Sequence, residues 1–171
     1  LMGVSVMIAC QFVLGANLLA ELAQKSGRVL DVEKYKEMAD EMKDRINKHA
    51  WDGEWYMRAF DDNGTPVGSS KSKEGKIWIE SNTWAILSGV AEGERAVKTL
   101  DSIKKHLDTK YGIVLFQPAY TEYHKELGYV SVFPPGLKEN AAIFCHTNPW
   151  AMCAEAMLGR GEQAFKYWKT I

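Results

Sequence analysis

At 171 residues, with 46% hydrophobic and 25% charged residues and a formal net charge of -1, the chain is sized for one compact domain or a piece of a larger one. That balance excludes a natively unfolded chain. With no Lys/Arg-rich run it also argues against nucleic acid as a partner. Six Trp and seven Tyr suit thick cores and sugar-binding clefts alike. Cys10, Cys145 and Cys153 are odd in number and lack paired spacing, so they read as reduced thiols of a cytoplasmic protein, and no Cys/His cluster marks a metal site.

From Met2 to Ala20 the chain is largely apolar. Ser5, Gln11 and Asn17 interrupt it, no basic residues precede it and no cleavage pattern follows. A helix buried on nearly all sides therefore fits better than a signal peptide or a membrane span, and no membrane partner is expected. The start at Leu1, without an initiator Met, points to a missing upstream segment. The first helix runs over residues 4–25 and ends at Ser26-Gly27. Asp31 is placed to cap a second helix to about Ala50, with Tyr35, Ala39, Met42 and Ile46 recurring on one face. Ser81 is placed to cap a short helix through Trp84, Ile86 and Leu87 that stops near Gly89. From Glu92 an amphipathic helix carries Val97, Leu100, Ile103 and Leu107 inward.

Asn148 as cap and Pro149 at the first position open the next helix, with Trp150, Cys153, Ala154, Met157 and Leu158 inside it, and Glu162 to Ile171 supplies its partner. The chain thus reads as mainly α. It has three helical hairpins, each buried then amphipathic, about half of a closed six-hairpin toroid. Long loops with short β-hairpins at 52–80 and 111–142 separate the pairs, and loops of that length tend to be functional.

The densest chemistry lies from Phe133 through Lys138, Glu139 and Asn140 to His146 and Thr147, just ahead of the Asn148-Pro149 helix start. A helix N-terminus favours anions, so His146 and Thr147 are candidate phosphate ligands, and a capped helix with a satisfied histidine is the plain alternative. Asp61-Asp62-Asn63-Gly64 reads as a hairpin turn rather than a metal loop. Asp52 and Glu54, flanking Gly53, are weighed as substitute catalytic carboxylates. Trp55 and Arg58 read as a structural aromatic bracket with a snorkelling cation, and His49, His106 and His124 as surface residues.

The string Lys138-Glu139-Asn140-Ala141-Ala142-Ile143-Phe144-Cys145-His146-Thr147-Asn148-Pro149-Trp150 resembles the inverting phosphorylases of glycoside hydrolase family 94. So, in order, do Trp51-Asp52-Gly53-Glu54-Trp55-Tyr56, Ile79-Glu80-Ser81-Asn82-Thr83-Trp84-Ala85 and Gly159-Arg160-Gly161. The resemblance implies that residues 1–171 are a fragment of one (α/α)6-barrel catalytic domain. An N-terminal β-sandwich, the rest of the barrel and a C-terminal sheet would lie elsewhere, and the full-length protein would be a homodimer. It implies phosphorolysis of a β-linked gluco-oligosaccharide with inversion, with inorganic phosphate as co-substrate and no cofactor. Lys138 and Glu139 match sugar contacts and His146 a phosphate ligand. Phe133 stands where Tyr is expected, and Ala141 where Gly is expected. The family's general acid would lie upstream, so the chain alone is expected to be inactive. A hydrolase on the same toroid and a non-catalytic sugar-binding module are the alternatives.

Overall fold

A computed structural model describes residues 3–171; Leu1, and Met2 at the head of the apolar run, lie outside the described residues. In chain order the elements are β1 (Val4–Ser5), α1 (Val6–Lys25), α2 (Val29–His49), β2 (Ala59–Phe60), β3 (Pro66–Val67), β4 (Ile77–Trp78), α3 (Ile79–Leu87) and α4 (Gly93–His106). They continue with β5 (Asp108–Thr109), β6 (Gly112–Ile113), β7 (Phe116–Gln117), a 3-10 segment (Lys125–Ser131), α5 (Asn148–Met157) and α6 (Gly161–Thr170). All strand pairs are antiparallel: β1-β2-β3 form one small sheet, and β4 pairs with β7 and β5 with β6.

The three expected helical hairpins are present. Helix α1 packs on α2, α3 on α4 and α5 on α6, while α1, α3 and α5 also pack in succession. The odd-numbered helices thus make one continuous row, and their partners stand behind it. Leu100 and Ile103 on α4 and Leu107 just past its end are fully buried, while on α2 Ala39 and Ile46 are buried and Tyr35 and Met42 half-buried.

Several local expectations are corrected. Helix α1 is not buried on nearly all sides: Val6, Cys10, Val13, Ala16 and Ala20 form its packed stripe, while Ile8, Phe12, Leu18, Leu19 and Leu22 are exposed. By length and hydropathy alone it could cross a membrane. Ser5 caps it, accepting from the Ile8 N–H at 3.5 Å. Helix α2 starts before Asp31, which instead forms an ion pair with Arg28 across the first turn. Val97, Cys153 and Met157 were assigned inward and are exposed. Each lies at an edge of its helix's apolar arc, where helical period alone does not resolve the side facing a neighbour.

Ser81 and Asn148 are not caps. The hydroxyl of Ser81 donates to the Tyr56 carbonyl at 3.1 Å, inside a helix already begun at Ile79. Thr147 holds the cap position of α5, and Asn148 belongs to a set of three fully buried asparagines. Asn82 accepts from the Tyr56 N–H (2.8 Å) and donates to the Tyr56 carbonyl (3.2 Å). Asn140 accepts from Tyr120 N–H and donates to its carbonyl, both at 2.9 Å. Asn148 accepts from Ile113 N–H (2.8 Å) and donates to its carbonyl (3.0 Å). In each case a side-chain carboxamide pairs with one residue's peptide groups as a neighbouring strand would, so the long loops meet the requirement that buried backbone polar groups be paired.

The turn between α5 and α6 depends on a buried charge. Glu155 is fully buried, with Arg160 Nε 2.7 Å from its Oε2, and Arg160 Nη1 reaches Asp101 on α4 at 2.8 Å. Burial pushes the Glu155 pKa above the ordinary carboxylate value, and Arg160 opposes that rise. A carboxyl raised in the folded state favours folding below its ordinary pKa, and that contribution is lost as pH rises through the raised value. Arg160→Met strands the carboxylate. It is expected to lower stability by about 3 kcal/mol near pH 8 and by clearly less near pH 5, as read from urea unfolding at both pH values. Equal losses would mean that Glu155 ionisation does not carry the effect.

Candidate functional site

The first part of the site is built on the β1-β2-β3 sheet. Asp61 closes the β2–β3 hairpin, its Oδ1 accepting from Asn63 N–H (2.8 Å) and Thr65 N–H (2.7 Å), with Gly64 at φ +79; the turn expectation holds. These bonds hold the Asp61 carboxyl below its usual range, chiefly that from Thr65. Beyond the hairpin, Gly68 adopts φ +90, and a Cβ there would come within 2.6 Å of the Arg58 nitrogen. Only glycine allows the chain to pass so close to Arg58.

Arg58 is not a snorkelling cation. Its side chain is 24% exposed and turns inward: Nη1 donates to Ser5 Oγ at 3.0 Å, and the guanidinium lies over the Trp78 ring at 5.7 Å. Trp55 is structural as read, buried with its Nε1 donating to the Gly68 carbonyl at 3.0 Å. Asp52 accepts from the Ser69 hydroxyl and the Ser70 N–H, which ties it to the next loop. Arg58, Ser5, Phe60, Asp62 and Trp78 help line an open cleft of about 570 Å³, which Lys138, Glu139 and His146 do not line.

The second part is the turn around Asn140. Asn140 also donates to the Phe133 carbonyl at 2.6 Å, and Leu137 and Asn140 bridge across the turn. Lys138 and Ala141 both take positive φ, +48° and +63°. For residues with a Cβ that conformation costs about 1–3 kcal/mol each, and such strain gathers at functional sites. Ala141 thus occupies a backbone position that suits the glycine expected there. Lys138 and Glu139 are exposed, with the Lys138 ammonium 4.7 Å from the Phe133 ring centre. The structure brings Lys138 and Phe133 together. The ring without a hydroxyl acts here as a cation–π surface.

The third part is the approach to α5. His146 is exposed, 5.6 Å from both the Phe144 and Trp150 rings, edge-on to the latter. Thr147 is buried: its hydroxyl and N–H both bond the Phe144 carbonyl, at 2.9 and 3.2 Å. Both groups of this candidate phosphate ligand are thus engaged inside the turn. Pro149 has no N–H, and that of Trp150 bonds the Thr147 carbonyl at 3.2 Å. His146 faces outward at this end, as do Cys145 and Pro149.

Sequence reasoning missed Glu80. It lies in the first turn of α3 with its side chain 15% exposed, 4.0 Å from Arg58 Nε. Burial pushes its pKa up, while Arg58 and, less strongly, His146 pull it down. Its signal was a lone carboxylate closing the apolar run Ile77-Trp78-Ile79, where β4 passes into α3. Two histidines assigned to the surface are in fact engaged. His106 packs edge-on to Trp55 at 5.5 Å and burial lowers its pKa, and His124 stands between Glu74 (3.7 Å) and Glu126 (3.4 Å). His49 is exposed as read. Among the described residues no group of three His, Cys, Asp or Glu side chains is arranged to hold a metal ion.

A family profile described as the glycosyl hydrolase 94 superfamily, catalytic domain, matches residues 2–171. The chain is 40% identical over 153 residues, 88% of its length, to an N,N'-diacetylchitobiose phosphorylase of Vibrio proteolyticus. It is 41% identical over 135 residues, 79% of its length, to a solabiose phosphorylase of Paenibacillus borealis. A 3-O-beta-D-glucopyranosyl-beta-D-glucuronide phosphorylase of Paenibacillus borealis is 35% identical over 90% of the chain. The chain spans only 18–19% of the length of these three relatives.

The Asn140 clamp can be tested directly. Asn140→Ala removes one acceptor and two donor bonds from buried peptide groups. It is expected to lower stability by roughly 2–4 kcal/mol. The Tyr120 amide should lose hydrogen-exchange protection while that of Ile113, held by Asn148, keeps it. Unchanged protection at Tyr120 would refute the clamp.

Proposed function

The chain belongs to the glycosyl hydrolase 94 superfamily, catalytic domain, and on that footing we propose that it is part of a phosphorylase that cleaves a β-linked gluco-oligosaccharide with inorganic phosphate. The observation that carries this reading is the family match over residues 2–171 together with relatives named as disaccharide phosphorylases. In the proposed reaction a phosphate oxygen attacks the anomeric carbon from the face opposite the glycosidic oxygen, and the bond to that oxygen breaks. The leaving oxygen takes a proton, and an α-sugar 1-phosphate and a shortened sugar result. Phosphate is already an anionic nucleophile, so the base that activates water in an inverting hydrolase has no counterpart, and a cationic pocket takes its place.

In this reading His146, exposed at the entry to α5, contacts the phosphate, and Lys138 and Glu139, exposed on a strained turn, contact sugar hydroxyls. Phe133 supports Lys138 through its ring. Thr147 contributes by fixing the Phe144 carbonyl and hence the turn that carries His146. The row α1, α3, α5, backed by α2, α4 and α6, supports placing the three hairpins in an (α/α)6 toroid within a longer protein. That protein would be a cytoplasmic homodimer whose general acid comes from another segment.

The test is to express the reading frame that contains this chain and follow cleavage of β-linked disaccharides of glucose and N-acetylglucosamine against phosphate concentration. Sugar 1-phosphate release that depends on phosphate is expected. His146→Ala should lower turnover by roughly 10²–10³ and weaken phosphate use more than sugar binding. Cleavage that ignores phosphate would establish a hydrolase instead, and sugar binding without any cleavage a binding module.

A further inference from the structure

A second cleft, of about 390 Å³, opens beside the turn that carries Lys138 and Glu139. Its walls are two stretches of one loop, 120–123 and 131–135, and neither Lys138 nor Glu139 lines it. Buried Tyr120 and the more open Tyr123, Val132, Phe133, Pro134 and Pro135 give it an aromatic and aliphatic lining. Tyr123 is 62% exposed, so its ring is available to whatever enters. Scattered exposed apolar residues mean little, but their convergence on one concave surface marks a place where a ligand can displace water.

Two buried side chains fix the distance between the walls. Asn140 pairs with the peptide groups of Tyr120 on one wall and donates to the Phe133 carbonyl on the other. Ser131, at the foot of the second wall, accepts from the N–H of His124, next to Tyr123, at 2.8 Å. The first wall is also tied from behind, because the N–H and hydroxyl of Thr121 both donate to Glu74 Oε1, at 3.2 and 2.6 Å. None of these bonds uses an aromatic side chain of the lining. The cleft is therefore formed before any ligand arrives, and binding does not have to order it.

The lining also selects the ligand. Among the described residues no Lys, Arg or His side chain lines the cleft, and Glu122, exposed, adds a carboxylate to it. Phosphate and other anions are disfavoured there. A pyranose ring offers C–H faces to aromatic rings and hydroxyl donors to a carboxylate, which matches Tyr123 and Phe133 with Glu122 beside them. Phe133 lines this cleft and also meets the Lys138 ammonium, 4.7 Å from its ring centre, so the cleft is continuous with the turn assigned to sugar contacts.

We propose that the cleft between Tyr123 and Phe133 binds a further sugar ring of a β-linked oligosaccharide, a third ring beyond the two joined by the bond that is cleaved, with Tyr123 as its apolar platform. The proposal rests on the phosphorylase reading for the class of its ligand. It makes the loop at 120–135 the part of the molecule that distinguishes a trisaccharide from a disaccharide.

The test is calorimetric titration of the full-length protein, without phosphate, with the di- and trisaccharides of β-1,4-linked glucose and of β-1,4-linked N-acetylglucosamine. The parent is expected to bind one trisaccharide more tightly than its disaccharide, by roughly three- to tenfold for one aromatic contact. Tyr123→Ala should abolish that difference and leave disaccharide binding within about twofold. Tyr123→Phe, which keeps the ring, should retain it. A parent that prefers neither trisaccharide, or a Tyr123→Ala variant that weakens both lengths alike, overturns the proposal. Cleavage that ignores phosphate removes the phosphorylase reading alone, since the length preference and its loss in Tyr123→Ala still decide the cleft.

Discussion

The long loops of this fold depend on one interaction, the pairing of a buried carboxamide with both peptide groups of a distant residue. Asn82, Asn140 and Asn148 each make it, to Tyr56, Tyr120 and Ile113 respectively. A loop that enters a core brings N–H and C=O groups that water can no longer reach, and each one left unmet costs about 1–3 kcal/mol. The strands here are two residues long and cannot meet that demand. The asparagines do so from helix starts and from a turn, and the aromatic residues can then pack without stranding their backbone.

The same arrangement sets out the candidate site. Asn82 lies on α3, two residues after Glu80, and fixes Tyr56, two residues before Arg58. Asn140 follows Glu139 directly and ties the turn bearing Lys138 to the carbonyl of Phe133. Asn148 opens α5 just after His146 and Thr147. Each group that could meet a ligand is therefore within a residue or two of a rigid anchor. The exposed side chains can stay solvated while their backbone does not move, which is the kind of preorganisation that electrostatic catalysis requires.

The helices were legible because their stripes repeat: Leu100, Ile103 and Leu107 are spaced for one face and are buried on one face. The hairpin at Asp61 was legible because Asp-Asn-Gly turn chemistry is local. The caps were misread for the opposite reason. Asn148-Pro149 has the composition of a helix start, yet the amide is taken by Ile113, 35 residues away. Ser81 is likewise taken by Tyr56, 25 residues away. Local preference is overridden when a buried peptide group elsewhere has no other partner. His146 stands out by its place ahead of a helix start and Lys138 and Glu139 by family resemblance, whereas Glu80 escapes notice because its partner, Arg58, comes from another segment of the chain. Thr147 reads in the sequence as a candidate anion ligand beside His146, and nothing there reveals that the carbonyl of Phe144 turns back to receive its hydroxyl.

A carboxamide that grips a peptide unit recognises no side chain. The residues held at positions 56, 113 and 120 can drift in identity, subject to the space around them and, at Tyr56, to its hydroxyl bond to Asn47 Oδ1 at 2.7 Å, while the chain's path stays fixed by positions 82, 148 and 140. Register is therefore stored in three residues rather than along paired strands. Between their tethers the loops can lengthen, shorten or change composition without disturbing the helical rows behind them. Such a scaffold can vary its loops while the geometry of the helical rows that carry them is kept.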